Sequence, residues 1–234
     1  MKPSDHSGRR TFLRGTGGAL TLLALASPLP AAAPQAGSRG APATTRDLSR
    51  VQGLLREMEA KGSEFWSVPR QDGEFLHFLV KATHAVSVLE VGTSHGYSAL
   101  WMGLALEETG GHLTTIEIDP ARHALARSHV AEAGLSPRVR LLLGDAHREV
   151  DRLSGPFDFV FLDADKEGQV DYFQKLYPSK LAPGGILAVH NAIRQSSSMR
   201  DYLDLVRRHP DFDSVTVSAT MDDGFCLSYR HRAP

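Results

Sequence analysis

A single cysteine, Cys226, stands in a chain of 234 residues, which excludes an internal disulfide. It lies in an apolar alternating stretch, where a buried and inert thiol is expected. Neither sign of charge is in excess. The 26 basic and 27 acidic residues leave a formal net charge of −1, so there is no basic field of the kind that draws in nucleic acid. Five of the basic residues and one acidic residue fall within 1–43, so the remainder carries 21 and 26, a net of −5. The modest apolar run from Gly15 to Leu29 is shorter than the ~20 residues a membrane-spanning helix needs. No cysteine stands directly after that run, which argues against a lipid anchor. There is no internal repeat, and no Gly-x-Gly-x-x-Gly fingerprint of a dinucleotide-binding loop.

What the N-terminus does have is a charged opening with paired Arg9 and Arg10, the apolar run, and then small residues and prolines. This layout resembles a bacterial twin-arginine signal in Arg9-Arg10-x-Phe12-Leu13. It implies export in a folded state to the periplasm over residues 1–33, or a cytoplasmic protein if the signal is not functional. Ala31-Ala32-Ala33 and Ala41-Pro42-Ala43 are the two cleavage candidates. Residues 34–45 read as a Pro-, Ala- and Gly-rich linker. Residues 46–234 read as one domain.

In that domain helical and apolar segments alternate. Leu48, Val51, Leu54, Leu55 and Met58 have helical spacing, and "DGEFLHFLVKAT" is a second helix. The runs "AVSVLEV", "HLTTIEI", "RVRLLL", "FDFVFL" and "GILAVH" read as strands with helical stretches between them. Near-continuous apolar strands mean burial on both faces, hence a mostly parallel α/β sheet with helices on each side. "DSVTVSAT" and "GFCLSYR", joined through "MDDG", read as a closing antiparallel hairpin.

Ligands of open α/β sheets collect at the carboxyl ends of the strands. The first strand closes as "LEVGTSHGYSAL", where Gly92 and Gly96 bracket a loop that opens a helix near Tyr97. Glu90 is unfavourable beside a pyrophosphate and suits a ligand with an ammonium group. Glu117 ends the second strand, where a carboxylate clamps ribose hydroxyls. Asp145 and Ala146 follow the third, placed to meet an adenine amino group. A nucleoside with a cationic amino-acid tail and no phosphate has these parts, as S-adenosylmethionine does. Ser94, Tyr97 and Ser98 of the same loop, and Asp163, complete the expected cofactor contacts. The alternative reading of Glu90, Glu117 and Asp145 is a capping carboxylate at each tip. His95 is expected near the cofactor tail.

"VLEVGTSHGYSAL", "TTIEIDP", "GDA", "FDFVFLDADKEGQVDYF" and "LAPGGILAVHNAI" together resemble the small class I O-methyltransferases of the catechol and caffeoyl-CoA type. The resemblance spans roughly residues 46–230. It implies a seven-stranded Rossmann-like sheet, S-adenosylmethionine at the strand tips, and a divalent metal beside the methyl group. It implies Asp163 and Asn191 as metal ligands and Lys166 as base or orienting cation next to the acceptor hydroxyl. A small aromatic vicinal diol is the implied substrate, with no nucleic acid and no stable membrane span, and a homodimer is compatible with it.

One position departs from the family, which has an Asp-Asn pair where this chain has His190-Asn191. A neutral imidazole removes one negative charge from the site. As a ligand, His190 shifts preference from Mg²⁺ toward Mn²⁺ and later first-row metals, and binding is expected to weaken below pH ~6.5. Otherwise His190 acts as a general base with little or no metal dependence. Asp165 is expected to cap the following helix, Glu167 to be solvated, and Trp66 either to wall the substrate pocket or to pack in the core. Two other classes compete: a binding protein that has lost transfer, and a nicotinamide-dependent oxidoreductase, which the glycine spacing disfavours.

Overall fold

Period-two burial along the strands builds this fold. In the first strand, β1 (Ser87–Val91), Val88 packs on one face of the sheet while Leu89 and Val91 pack on the other. In β4 (Phe157–Leu162), Phe159 and Phe161 go one way and Val160 and Leu162 the other. Alternate side chains point to opposite faces of a strand, so each strand feeds two cores. This is a computed structural model, and it describes residues 45–62, 67–218 and 223–232. Residues 1–44, which hold the expected signal and all but the last residue of the expected linker, Trp66, and Met221 and Asp222 of the "MDDG" connection lie outside the described residues.

Seven strands form one sheet in the order β3-β2-β1-β4-β5-β7-β6. The others are β2 (His112–Glu117), β3 (Val139–Leu143), β5 (Leu181–His190), β6 (Phe212–Val217) and β7 (Phe225–Arg230). The first five are parallel, and β7 lies antiparallel between β5 and β6. Helices α1 (Thr45–Ala60), α2 (Arg70–Ala82), α3 (Tyr97–Thr109) and α4 (Pro120–Glu132) cover one face. Helices α5 (Ala146–Arg152), α6 (Gln169–Leu176) and α7 (Arg200–Arg208) cover the other. The expected mostly parallel α/β sheet with a C-terminal antiparallel pair is what forms. β5 begins four residues earlier than its apolar run, and its pairing with β4 shifts register between Phe157 and Phe159. Cys226 is buried on β7.

The register brings the strand tips into one line. Val91 pairs with both Ile116 and Leu162, Glu117 with Leu143, and Leu162 with Val189. Gly92, Glu117, Gly144, Asp163 and His190 therefore sit along one edge. The chain leaves β1 toward β2 on one side and returns to β4 on the other, so β1 and β4 flank the topological switch point, where such sheets open a crevice. Gly92 closes the approach there. Its φ is +98°, and a Cβ on it would lie 2.6 Å from the carbonyl oxygen of Asp163. A side chain at that position forces the tips of β1 and β4 apart.

Gly92→Ala is therefore expected to destabilise the chain by about 2–3 kcal/mol, measured by urea unfolding. Gly53, inside α1, offers the opposite case, because a Cβ added there would have nothing within 4 Å. Gly53→Ala is expected to stabilise by about 0.5–1 kcal/mol through the unfolded chain's lost freedom. Equal midpoints for the two variants would contradict the assigned crowding.

Candidate active site

The strand tips enclose two adjoining cavities. The first, about 440 Å³, lies over β1, β2 and β3 and is lined by Gly92, Ser94, Tyr97, Ser98, Glu117, Asp145, Ala146 and Asp163 among others. The second, about 740 Å³, lies over β4 and β5 and is lined by Asp163, Lys166, His190 and Asn191, with Arg194 and Asp223 at its side. Ser67, Val68, Asp163, Ala164 and Asp165 line both. The two spaces thus meet at the tip of β4.

In the first cavity Glu117, 5% exposed, is held from three directions. Its Oε2 accepts the Ser94 N–H at 2.7 Å, and its Oε1 accepts the Asp119 N–H at 3.0 Å and Arg122 Nε at 3.1 Å. The carboxylate is pre-positioned at the cavity wall before any ligand arrives. Ser94 adopts φ +49°, uncommon for a side-chain-bearing residue, and this turns its N–H onto Glu117. Gly96, at φ +93°, is the N-cap of α3, whose first amides lie beside the cavity. Asp145 both lines the cavity and caps α5, accepting the His147 N–H at 3.0 Å, so capping and cavity wall are one residue's work.

Glu90 is fully buried and lies beneath the cavity rather than on its wall. Its Oε1 accepts the Ser98 hydroxyl and its Oε2 accepts the Thr115 hydroxyl at 2.5 Å. Thr115 in turn accepts from Thr93, because its one proton is already given to Glu90. Glu90 therefore meets the cavity through Ser98, which lines it. Burial raises its pKa to about 7, against the opposing hydrogen bonds of Ser98 and Thr115. His95 lines the same cavity; burial first, then His129 and Lys61, push its ring down to about 4. The ring is neutral, and its Nε2 pairs with the Ser67 hydroxyl at 3.0 Å, tying the segment before α2 to the glycine loop.

The second cavity holds the charges that follow β4. Lys166 Nζ donates to Asp163 Oδ1 at 2.7 Å, and the lysine is only 8% exposed. His190 faces the same oxygen through Nδ1 at 3.3 Å. Its Nε2 donates to Asp72 Oδ2 at 2.8 Å. Burial disfavours the charged ring, but Asp163 and then Asp72 outweigh it and lift His190 to about 9. Burial would likewise raise Asp163, yet the bond and charge of His190, then of Lys166, hold it below the usual carboxylate range. Four buried or half-buried charges thus alternate as Asp72, His190, Asp163, Lys166. Asn191, lining the same cavity, adopts φ +61°, a conformation asparagine tolerates better than most residues.

Asp163, His190 and Asn191 are the residues that could hold a divalent ion here, whereas the three carboxylate or imidazole side chains whose ligand atoms lie within 4.8 Å of one another, among the described residues, are Asp72, His190 and Asp223. Asp163 offers a carboxylate oxygen, His190 an imidazole nitrogen and Asn191 an amide oxygen. The 3.3 Å between Asp163 Oδ1 and His190 Nδ1 is long for a hydrogen bond and near the spacing of two adjacent ligands on one ion with bonds of about 2.0–2.2 Å. An ion that takes His190 must displace a proton held to about 9, so that competition extends well above the pH ~6.5 expected from an unperturbed histidine.

Asp165 does not cap α6, whose N-cap is Gly168. Its carboxylate instead accepts the Tyr172 hydroxyl at 2.8 Å and faces His147 Nε2 at 3.3 Å, because Tyr172 and His147 stack at 4.3 Å across its path. Glu167 is exposed, as expected. Asp72 opens the "DGEFLHFLVKAT" helix, outside the strand-tip motifs, and lies 118 residues from His190, so a reading by spacing does not connect the two. A signal was there: Asp72 falls on the buried stripe of α2 with Leu76, Leu79 and Val80. A carboxylate on an apolar stripe needs a buried partner.

Glu90 gives a pH prediction. Its folded pKa is above the unfolded value, so folding is favoured by its proton below pH ~4.5, and that contribution is lost as pH rises to about 7. Glu90→Gln, which cannot ionise, is expected to gain thermal stability relative to the native chain between pH 5 and 8. A difference that stays constant over that range would contradict the assignment.

The profile of the family described as O-methyltransferase matches residues 44–211. A catechol O-methyltransferase of Niastella koreensis is 38% identical over 133 residues, which cover 55% of this chain and 59% of that protein. The catechol O-methyltransferase of Mycobacterium tuberculosis is 34% identical over 178 residues, covering 69% of this chain and 80% of its relative. An O-methyltransferase of Bacillus cereus solved in complex with S-adenosylhomocysteine superposes with a TM-score of 0.69 at 26% identity, over 78% of this chain and 90% of that one. One from Streptomyces achromogenes, involved in tomaymycin synthesis and solved with S-adenosylmethionine, gives 0.67 at 27% identity, over 81% and 91%. The profile covers most of the described domain, and the solved relatives share its sheet: the chain belongs to the class I O-methyltransferase family.

Proposed function

We propose that this chain transfers a methyl group from S-adenosylmethionine to one hydroxyl of a catechol-like aromatic. The observation that carries the reading is the meeting of two cavities at Asp163, one walled by the pre-positioned Glu117 and the other by Lys166, His190 and Asn191. Glu117 suits the ribose hydroxyls, Asp145 with Ala146 the adenine edge, and Ser98, backed by Glu90, the amino-acid tail. The acceptor sits over β4 and β5. Lys166, fixed to Asp163, donates to the acceptor oxygen and stabilises it as its proton leaves. The freed oxygen pair forms the O–CH₃ bond while the S–CH₃ pair returns to sulfur. The products are a methyl ether, S-adenosylhomocysteine and a proton. Much of the rate comes from holding the two reactants in line.

A divalent ion, held by Asp163, His190 and Asn191, would supply a Lewis acid that lowers the acceptor's pKa. With His190 as a ligand, Mn²⁺, Co²⁺ or Zn²⁺ is expected to serve better than Mg²⁺. His190→Asp adds a negative charge, and is expected to move preference back toward Mg²⁺ in a metal titration of chelator-stripped protein with a catechol acceptor. Full activity of the stripped native chain in excess chelator would remove the metal and leave His190 and Lys166 as the acid–base pair. The reading as a whole is tested by methyl transfer from labelled S-adenosylmethionine to a panel of vicinal diols. Tight cofactor binding with no transfer to any acceptor would select the binding-protein alternative, and a thermal shift with NAD but not S-adenosylmethionine would select the oxidoreductase.

Residues 1–33 are proposed to direct export to the periplasm. Replacing Arg9 and Arg10 by Lys is expected to lower the periplasmic share on fractionation, and an unchanged share would remove the signal reading.

A further inference from the structure

The acceptor site depends on which nitrogen of His190 faces it, and that choice is made by a residue outside the strand-tip motifs. Asp72 stands in the first turn of α2 with 0% exposure. Its Oδ2 meets His190 Nε2 at 2.8 Å, the shorter of the ring's two polar contacts, while its Oδ1 has no hydrogen-bond partner among the described residues. Resting on the methyl-transfer reading, we propose that Asp72 is a positioning residue of the acceptor site: it holds the Nε2–H of His190 so that Nδ1 is the atom presented to Asp163 and the acceptor cavity.

The geometry leaves the ring little alternative. Phe161 and Phe225 flank the imidazole at 6.3 Å and 5.0 Å between centroids. Phe75, on the same helix as Asp72, packs on Phe225 at 5.3 Å. A half-turn of the ring about its Cβ–Cγ bond would place a C–H against Asp72 and a second against Asp163. Asp72 would then lose its partner inside a buried site, which is costly, and Asp163 would keep only Lys166. Asp72 itself cannot drift, because the indole of Trp101 fills the space beside Gly73: a Cβ there would lie 2.2 Å from the ring. Helix α2 is thereby fixed against α3, and Asp72 against the end of β5.

The inference holds for either role of His190. As a ligand, the imidazole presents Nδ1 to an ion while its other N–H is held by a carboxylate, the arrangement that orients metal-bound histidines. As a base, which requires the ring to have lost its second proton, it presents Nδ1 to the acceptor proton. A competing arrangement uses the same ring, since Asp72, His190 and Asp223 each place a ligand atom within 4.8 Å of one another. An ion bound there through Nε2 would displace the proton shared with Asp72.

The test uses the full chain with ¹⁵N-labelled histidine. Long-range ¹H–¹⁵N correlation reads the two ring nitrogens of His190, assigned by their loss in His190→Gln. In the native chain Nε2 is expected to remain protonated when Zn²⁺ is added, with any change falling on Nδ1. Asp72→Asn is expected to mix the tautomers and to lower kcat about 10–100-fold. Calorimetric affinity for S-adenosylhomocysteine should stay within about threefold, which also shows that the variant is folded. Asp72→Glu keeps the carboxylate and is expected to restore the Nε2–H signal and part of kcat. An unchanged ring spectrum and kcat in Asp72→Asn would overturn the proposal, as would Zn²⁺ shifting Nε2 instead of Nδ1. If the native chain transfers no methyl to any acceptor, the methyl-transfer reading fails, while the ring spectra still decide whether Asp72 sets the tautomer.

Discussion

The imidazole of His190, buried between the carboxylates of Asp72 and Asp163, is the contact on which the rest of this site depends. Neither acid tolerates its depth alone, since a buried charge without a partner is far more costly than a paired one. The ring joins them, and Lys166 completes the series on Asp163. The four groups alternate in sign and sum to zero, so the second cavity can be lined with charge without unfolding the sheet edge. The same series ties three distant pieces of chain together: the first turn of α2, the tip of β4 and the end of β5.

That junction has value because of where it falls. The sheet's strand order reverses at β1 and β4, and the crevice that opens there is filled from both sides. Glu117 and the glycine loop furnish one wall, and the charge series furnishes the other. Gly92 lets the two tips approach, with Asp163 contributing its backbone to the packing and its side chain to the site. Fold and site share residues here, which is why the two cavities meet along Asp163, Ala164 and Asp165 rather than across a gap.

Much of this was legible in the sequence, for a physical reason. Strand and helix periodicities are local, so the seven strands, their burial on two faces and the closing antiparallel pair could be read from "FDFVFL" or "GFCLSYR" directly. The ligand edge was legible because strand tips are adjacent in sequence to the loops they feed. Depth was not. Nothing local says that Glu90 sits beneath the cavity floor, behind Ser98, while Glu117 stands on the wall. Nor could spacing reveal that Asp165 turns to Tyr172 and His147 instead of capping α6. The departure at His190 was visible, but its meaning was not, because Asp72 lies 118 residues away and enters the site only through the packing of α2 on α3. Trp66 lies outside the described residues and its two readings stand as they were.

The central claim is that cofactor and acceptor occupy two adjoining cavities that meet at Asp163. A crystal structure of the full chain with S-adenosylhomocysteine and a catechol tests it most directly. The account predicts the ribose hydroxyls on Glu117, the sulfur directed toward the tip of β4, and the catechol oxygens within hydrogen-bonding reach of Lys166 and Asn191. A catechol bound away from β4 and β5, with the sulfur facing solvent or protein rather than the acceptor, would contradict it.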